Sequence, residues 1–433
     1  MKPPNTSSQE KLTLRDAVGM AIGGMVGGGI FAVLGEAVHQ SGNAAFISFG
    51  LAGILAFVTG ISYSRLTLSF NQAGGSFLFV EKIAGPRVSG TLGWFLLLGY
   101  IFTMSLYSYT FGAYAGTLLG LDPAFNGYLG GGIVAFFAVI NLLGVRESGL
   151  SEDILVYAKL SILIVVAAVG FLTVRQEEAF PILEYSMSRV VTAAALVFVA
   201  YEGFQLLTYD FEDIDHPRRN LPRAIWISIP VVTAVYMTIA FVTTGSLTNQ
   251  DIAGKKEIVL AYVAQPLLGR TGVVMVLVAA VFSTASAINA TLFSVSRLAD
   301  RISRIRQLPP RLTERQVGGV PVWFLILASG CAIVIQFVGD LHEIVGFSSL
   351  VFLSVFSVVN LSAYIHREYS GWMRVLPLSG TAGCIAAVCM LAYDLYAEDP
   401  VTLGVIAGIV AVLVVMRSIY CHWHPSFVKE YGK

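Results

Sequence analysis

The chain is short of charge. Of its 433 residues only 12% are Asp, Glu, Lys or Arg, and 27 basic residues balance 27 acidic ones. Hydrophobic residues make up 56%, and the mean hydropathy is +0.74. So few charges cannot cover a soluble protein of this size, which leaves an all-α polytopic membrane protein. A formal net charge of zero provides no field to attract nucleic acid. Cysteine is scarce as well: Cys331, Cys384, Cys389 and Cys421 all fall in or at the ends of apolar runs. With none in an external loop, no structural disulfide and no disulfide-linked accessory subunit is expected. The longest polar segments run to only about 20 residues, too short for a soluble ligand domain. No nucleophile–base pair, CxxC or phosphate loop appears, and Gly27–Gly29 does not have the spacing of a dinucleotide fingerprint. His422 and His424 have neither the spacing nor the setting of a metal site. Neither an enzyme, a metal nor a cofactor is therefore expected.

Apolar runs are abundant. Twelve candidate spans follow from them, at residues 14–38, 44–66, 88–120, 127–145, 152–174, 190–211, 222–246, 271–300, 320–338, 343–365, 374–396 and 400–420. The last two are divided only by the acidic turn Ala397–Pro400. The polar start of the chain lacks a cleavage site and reads as a tail leading into a retained first span. The chain thus divides into a tail (1–13), five spans (14–174), five more (190–365), a final pair (374–420) and a C-terminal tail (421–433). Arg175, Arg189, Lys255, Lys256 and Arg270 fall in odd-numbered loops and Lys159 inside a span. The rest of the 27 lie in the tails, in even-numbered loops or at the span ends that border them, including the cluster Arg297–Arg315, which puts both termini in the cytoplasm.

Two spans are interrupted. Span 1 carries glycines at 23, 24, 27, 28 and 29, each costing a helix about 1 kcal/mol relative to alanine. Span 6 carries Ala200-Tyr201-Glu202-Gly203-Phe204-Gln205. Five spans of offset is the spacing of a 5+5 inverted repeat, and unwound half-helices at mid-depth free N–H and C=O groups for a zwitterion or ion. The competing reading of the glycines is close helix packing, which suits scattered ones such as Gly112 and Gly116 but not a GGG triplet.

Lys159 sits within the apolar run Ile154–Leu172. Insertion there costs roughly 2.5–3.5 kcal/mol, so the ammonium needs a partner or a task. Burial also favours the neutral amine, which points to proton-coupled movement of a solute. The alternative is a structural lysine, snorkelling or paired with Glu152. Glu202, in the second break, either meets a cation or a proton or merely satisfies unwound backbone. Asp210, Glu212 and Asp213 are candidate gate charges for Arg15 or for Arg218 and Arg219. Asp16, after Thr13, reads as a helix-start residue. Tyr100, Tyr107, Tyr109 and Tyr114 in span 3 either pack or line a path.

These pieces, in this order, resemble the amino acid–polyamine–organocation (APC) superfamily, and most of all its prokaryotic ApcT-type amino acid transporters. The resemblance rests on Gly27-Gly28-Gly29-Ile30-Phe31, Glu152-(x6)-Lys159-Leu160 and Phe198-Val-Ala-Tyr-Glu-Gly203-Phe204. It rests further on the stretch from Glu212 to Ile225, on Ala264–Gly272 and on Ser283-Thr-Ala-Ser286-Ala-Ile-Asn289. It implies 12 transmembrane helices in a LeuT-type fold, with broken helices 1 and 6 in the 5+5 inverted repeat and two peripheral helices. It also implies a secondary active transporter in the plasma membrane, moving an amino acid together with a proton. The substrate carboxylate would meet the N–H groups of Gly27, Gly28 and Gly29. Its ammonium would meet the carbonyls of Met25, Phe198, Val199 and Glu202, with Phe198 or Val199 as the gate. By the same analogy Lys159 replaces a sodium ion, bridging the Gly23 carbonyl and the hydroxyls of Ser283 and Ser286. An amino acid or polyamine exchanger of the same fold is the alternative, with Lys159 as a permanently charged strut.

Overall fold

In the computed structural model the chain is described over residues 11–143, 149–366, 371–398 and 400–423. Almost all of it is helix. Span 1 is two helices, α1 (Leu14–Met25) and α2 (Gly29–Ser41), followed by α3 (Ala45–Phe70). A short α4 (Gly75–Ala84) leads into α5 (Pro86–Leu119), α6 (Asn126–Leu142) and α7 (Gly149–Phe171). After the single turn α8 (Gln176–Ala179), span 6 begins as α9 (Met187–Leu196) and continues as 3-10 segments Val197–Tyr201 and Phe204–Thr208. Then come α10 (Pro217–Ser246), the short α11 (Asn249–Gly254) and α12 (Val259–Val263), and α13 (Gln265–Arg304). A two-residue hairpin, β1 (Gln316–Val317) with β2 (Val320–Pro321), precedes α14 (Val322–Val338) and α15 (Leu341–Ile365). The chain closes with α16 (Val375–Glu398) and α17 (Pro400–Trp423), two separate helices as the acidic turn suggested.

Among the described residues, seven helical stretches are long and apolar enough to cross a membrane, and Val156–Phe171, Met187–Tyr201, Val322–Val338 and Ala407–Tyr420 are shorter apolar helices. Five spans separate the two interruptions, in spans 1 and 6, and α13 is kinked at Gly269 (φ 55°, ψ −146°). Within the bundle α13 packs along α5, α10 along α3, and α15 against α16, α5 and α3. Polar side chains bond between helices. Asn141 Nδ2 donates to Asn289 Oδ1 (2.8 Å), Ser108 Oγ to Gln336 Oε1 (2.6 Å) and Asn360 Nδ2 to Thr59 Oγ1 (2.9 Å). In a membrane each such bond contributes about 0.6 kcal/mol, and close packing contributes the rest. The largest fully buried side chains are aromatic, and several ring the second break: Tyr63 lies edge-on to Phe204 and Phe356, and Phe198 to Phe356.

Candidate substrate site at the two helix breaks

The start of span 1 is set by a capping box. Thr13 N–H donates to Asp16 Oδ2 (2.8 Å) and Asp16 N–H to Thr13 Oγ1 (3.4 Å), so Asp16 has the helix-start role read from the sequence. α1 then stops at Met25, and α2 starts at Gly29 with Gly28 as its N-cap. Three residues, Val26 to Gly28, are a turn between them. In span 6 the helix tightens at Val197, Glu202 is extended (φ −62°, ψ 133°), and Gly203 adopts φ 133°. Only glycine takes that φ readily.

The two breaks touch. A Cβ on Gly203 would stand 2.4 Å from the Gly24 carbonyl carbon, and one on Gly29 would stand 2.7 Å from the Ala200 Cα. The breaks therefore cross backbone to backbone, with the peptide groups of both spans buried at the crossing. Tyr107 of α5 packs against this crossing: its ring occupies the position that a Gly28 Cβ would need. Two of the four span-3 tyrosines, Tyr107 and Tyr114, are thus partners of span 1, while Tyr100 lies edge-on to Phe352. Tyr114 donates from its hydroxyl to the Phe31 carbonyl (3.2 Å) and packs edge-on to the Phe31 ring.

Tyr236 of α10, absent from the residues singled out above, lies between the breaks. Its hydroxyl is 2.8 Å from the Met25 carbonyl and 3.3 Å from the Ala200 carbonyl. The one sequence signal for it was a lone tyrosine in the apolar second half of α10. Val199 N–H donates to Ser349 Oγ (3.1 Å), and the Val199 carbonyl accepts from Glu202 N–H (3.1 Å). Phe198 is fully buried with its ring on Phe356. The Glu202 carboxylate accepts from Gln205 Nε2 (2.8 Å), while Gln205 Oε1 accepts from Gly203 N–H (2.9 Å). Glu202 therefore helps, through Gln205, to satisfy the unwound backbone.

Lys159 projects from α7 to the end of α1. Its Nζ donates to the Gly23 carbonyl at 3.1 Å, and the residue is 6% exposed. Ser283 of α13 donates its hydroxyl to the carbonyls of Val26 (2.9 Å) and Gly27, which lie in the break itself. Ser286, half-buried, lies one turn further along α13. The side chain of Glu152 lies outside the described residues.

On the far side of the site, α2 is held by charges that sequence reading passed over. Glu36 pairs with Lys256 (2.8 Å) and with His342 (3.1 Å), and its side chain is 2% exposed. Beside it Gly35 faces the Lys256 carbonyl so closely that any Cβ would overlap it. Tyr109 donates to Glu257 Oε1 (2.6 Å), and Gln40 Nε2 to Asp394 Oδ1 (3.0 Å). Elsewhere one expectation is corrected: Asp210 pairs with Arg297 of α13 (3.8 Å), while Arg15 lies over the Tyr157 ring (5.2 Å). Helix α13 brings Arg297 to the end of span 6, which separation in the sequence hides.

A family model described as amino acid permease matches residues 12–411. The chain belongs to this family, within the APC superfamily. It is a multi-pass membrane transporter, built on broken helices as the sequence suggested. An uncharacterized protein of Methanocaldococcus jannaschii is 30% identical over 94% of both chains. A methylthioribose transporter of Bacillus subtilis is 27% identical, over 82% of this chain and 81% of its own. The mouse Asc-type amino acid transporter 1 is 28% identical, over 85% of this chain and 72% of its own. The names of these relatives cover more than one solute class, so the transporter's own substrate has to be argued from its site.

Proposed function

We propose that the protein is a secondary active symporter, taking up an amino acid with a proton across the plasma membrane, with both termini cytoplasmic. The observation that carries this is the buried ammonium of Lys159 on the Gly23 carbonyl at the end of α1. An ammonium there joins α7 to the movable half of a broken span. Losing its proton removes the charge from that contact, and the population shifts towards an arrangement in which α1 leaves α7. The cytoplasmic placement of the termini is supported by the excess of basic residues in the tails and even-numbered loops.

Amino acids are the favoured substrate class because the crossing offers both signs of partial charge. The N–H groups of Gly27, Gly28 and Gly29 open α2 and suit a carboxylate. The carbonyls of Met25, Phe198, Val199 and Glu202 suit an ammonium, which at Met25 would share or displace the Tyr236 hydroxyl. Ser283 donates to the Val26 and Gly27 carbonyls and so has a positioning role in the break.

Proteoliposomes loaded without substrate and without sodium provide the test. Labelled amino acids should accumulate under an inward proton gradient, and amides or decarboxylated amines should compete poorly. A sodium requirement would overturn the coupling. Uptake that needs internal substrate and ignores the proton gradient would make the protein an exchanger. Equal binding of cadaverine would favour polyamines and a cation-binding Glu202.

A further inference from the structure

A cleft of about 660 Å³ lies beside α1, lined among others by Arg15, Gly19, Ile22, Val156, Leu160 and Ile227. Thr13 and Arg15 stand at its N-terminal end, and from there it rises between α1, α7 and α10. On α1 its lining ends at Ile22, one residue short of Gly23. On α7 it includes Val156 and Leu160, which bracket Lys159. Lys159 follows Val156 by three residues and so shares its face of the helix. Lys159 itself is not among the residues lining the cleft and is only 6% exposed, so the cleft stops short of the ammonium. What intervenes is the Val156 isopropyl group, whose Cγ2 would be 2.5 Å from a Cβ on Gly23. The valine is pressed onto the same residue whose carbonyl accepts from Lys159.

We propose that Val156 is a plug between Lys159 and the cleft, and that separation of α1 from α7 opens a proton exit to the N-terminal side. The proposal rests on Lys159 as the coupling group. When the plug parts, one N–H bond of the ammonium breaks, its electron pair stays on Nζ, and the proton passes to water in the cleft. The same movement that stretches the Lys159–Gly23 bond carries Gly23 off the valine, so release is confined to the moment of opening. The charged groups on α1 are Arg15 and Asp16, and those on α10 are Arg218, Arg219 and Arg223. Glu152 and Asp153 stand on α7, their side chains outside the described residues, and α13 presents the hydroxyls of Ser283 and Ser286. Val156 is a positioning residue, since its methyl groups exchange no proton.

The test is amine acylation of the full-length protein in oriented proteoliposomes. A water-soluble succinimidyl ester is applied from the N-terminal side across a pH series, and modification of Lys159 is read by mass spectrometry. Val156→Ala should raise the Lys159 rate about tenfold over wild type, because the closed form then admits water. Val156→Thr, nearly the same volume but polar, should show a smaller rise and guards against a folding defect in the alanine variant. Substrate binding should persist in both. Equal, low reactivity in wild type and both folded variants would overturn the plug. So would reaction with a membrane-soluble ester alone, which would mean a lipid-filled cleft. If Val156→Ala exposes Lys159 but wild-type uptake ignores the proton gradient, the plug is supported and the coupling role of Lys159 falls.

Discussion

The two halves of span 1 are secured in opposite ways. In α2, twelve of thirteen residues are buried; in α1, five of twelve are. Helix α2 is clamped by the Glu36 pairs with Lys256 and His342, by Gln40 on Asp394 and by close contact at Gly35. Helix α1 borders a cleft and is held at a few points. Among these are the Lys159–Gly23 bond, Tyr236 Oη on the Met25 carbonyl, Ser228 Oγ on the Val18 carbonyl (3.3 Å) and, just before the helix, a bridge from Leu12 to Ile214. One half is shut by several paired charges, the other by a few bonds of which one is titratable. On the symport mechanism proposed above, closure on the α2 side is the stable one in this conformation and movement on the α1 side is the one that a proton triggers.

Lys159→Ala should break that contrast most completely. Accumulation driven by a proton gradient should fall to simple equilibration, while substrate affinity stays within about threefold because its partners are backbone groups. Uptake with an unchanged pH profile would make Lys159 a structural residue. Next in size, Lys256→Met should loosen α2 by leaving the buried Glu36 with His342 alone. The expected cost is about 2 kcal/mol, or roughly a thirtyfold shift towards an open far side. Hydrogen exchange in Asn249–Gly254 and at the start of α15 would report it, and unchanged exchange would mean the pair does not hold α2. The smallest effect belongs to Tyr236→Phe, which removes a donor from the Met25 and Ala200 carbonyls. Thermal unfolding should show a loss of about 1 kcal/mol that narrows when substrate supplies its ammonium. A deficit indifferent to substrate would separate Tyr236 from the site.

The framework was legible where the signal is local. Apolar runs bounded by polar turns located the helices, down to the division between α16 and α17, and the glycines at 23–29 located the first break. Contacts across the fold were not legible. Glu36, Lys256 and His342 lie in different thirds of the chain, and each is unremarkable among its neighbours. Tyr236 is one tyrosine in a thirty-residue helix, and nothing periodic marks it as facing two breaks. Pairing of Asp210 with Arg297 instead of Arg15 likewise depends on how α13 crosses the end of span 6. Side-chain pattern reveals which face is buried; it does not reveal against what.

The contact between Gly24 and Gly203 has a bearing on how this protein can change over generations. When two packed side chains meet, one can grow if the other shrinks, and sequence drift proceeds by such exchanges. Here neither residue has a side chain to give up, and the approach is backbone on backbone. A carbon added at position 203 meets the carbonyl carbon of residue 24, which no substitution can remove. The pair therefore has no compensating partner mutation, and the crossing of the two breaks keeps its spacing while the residues around it are free to redefine the solute.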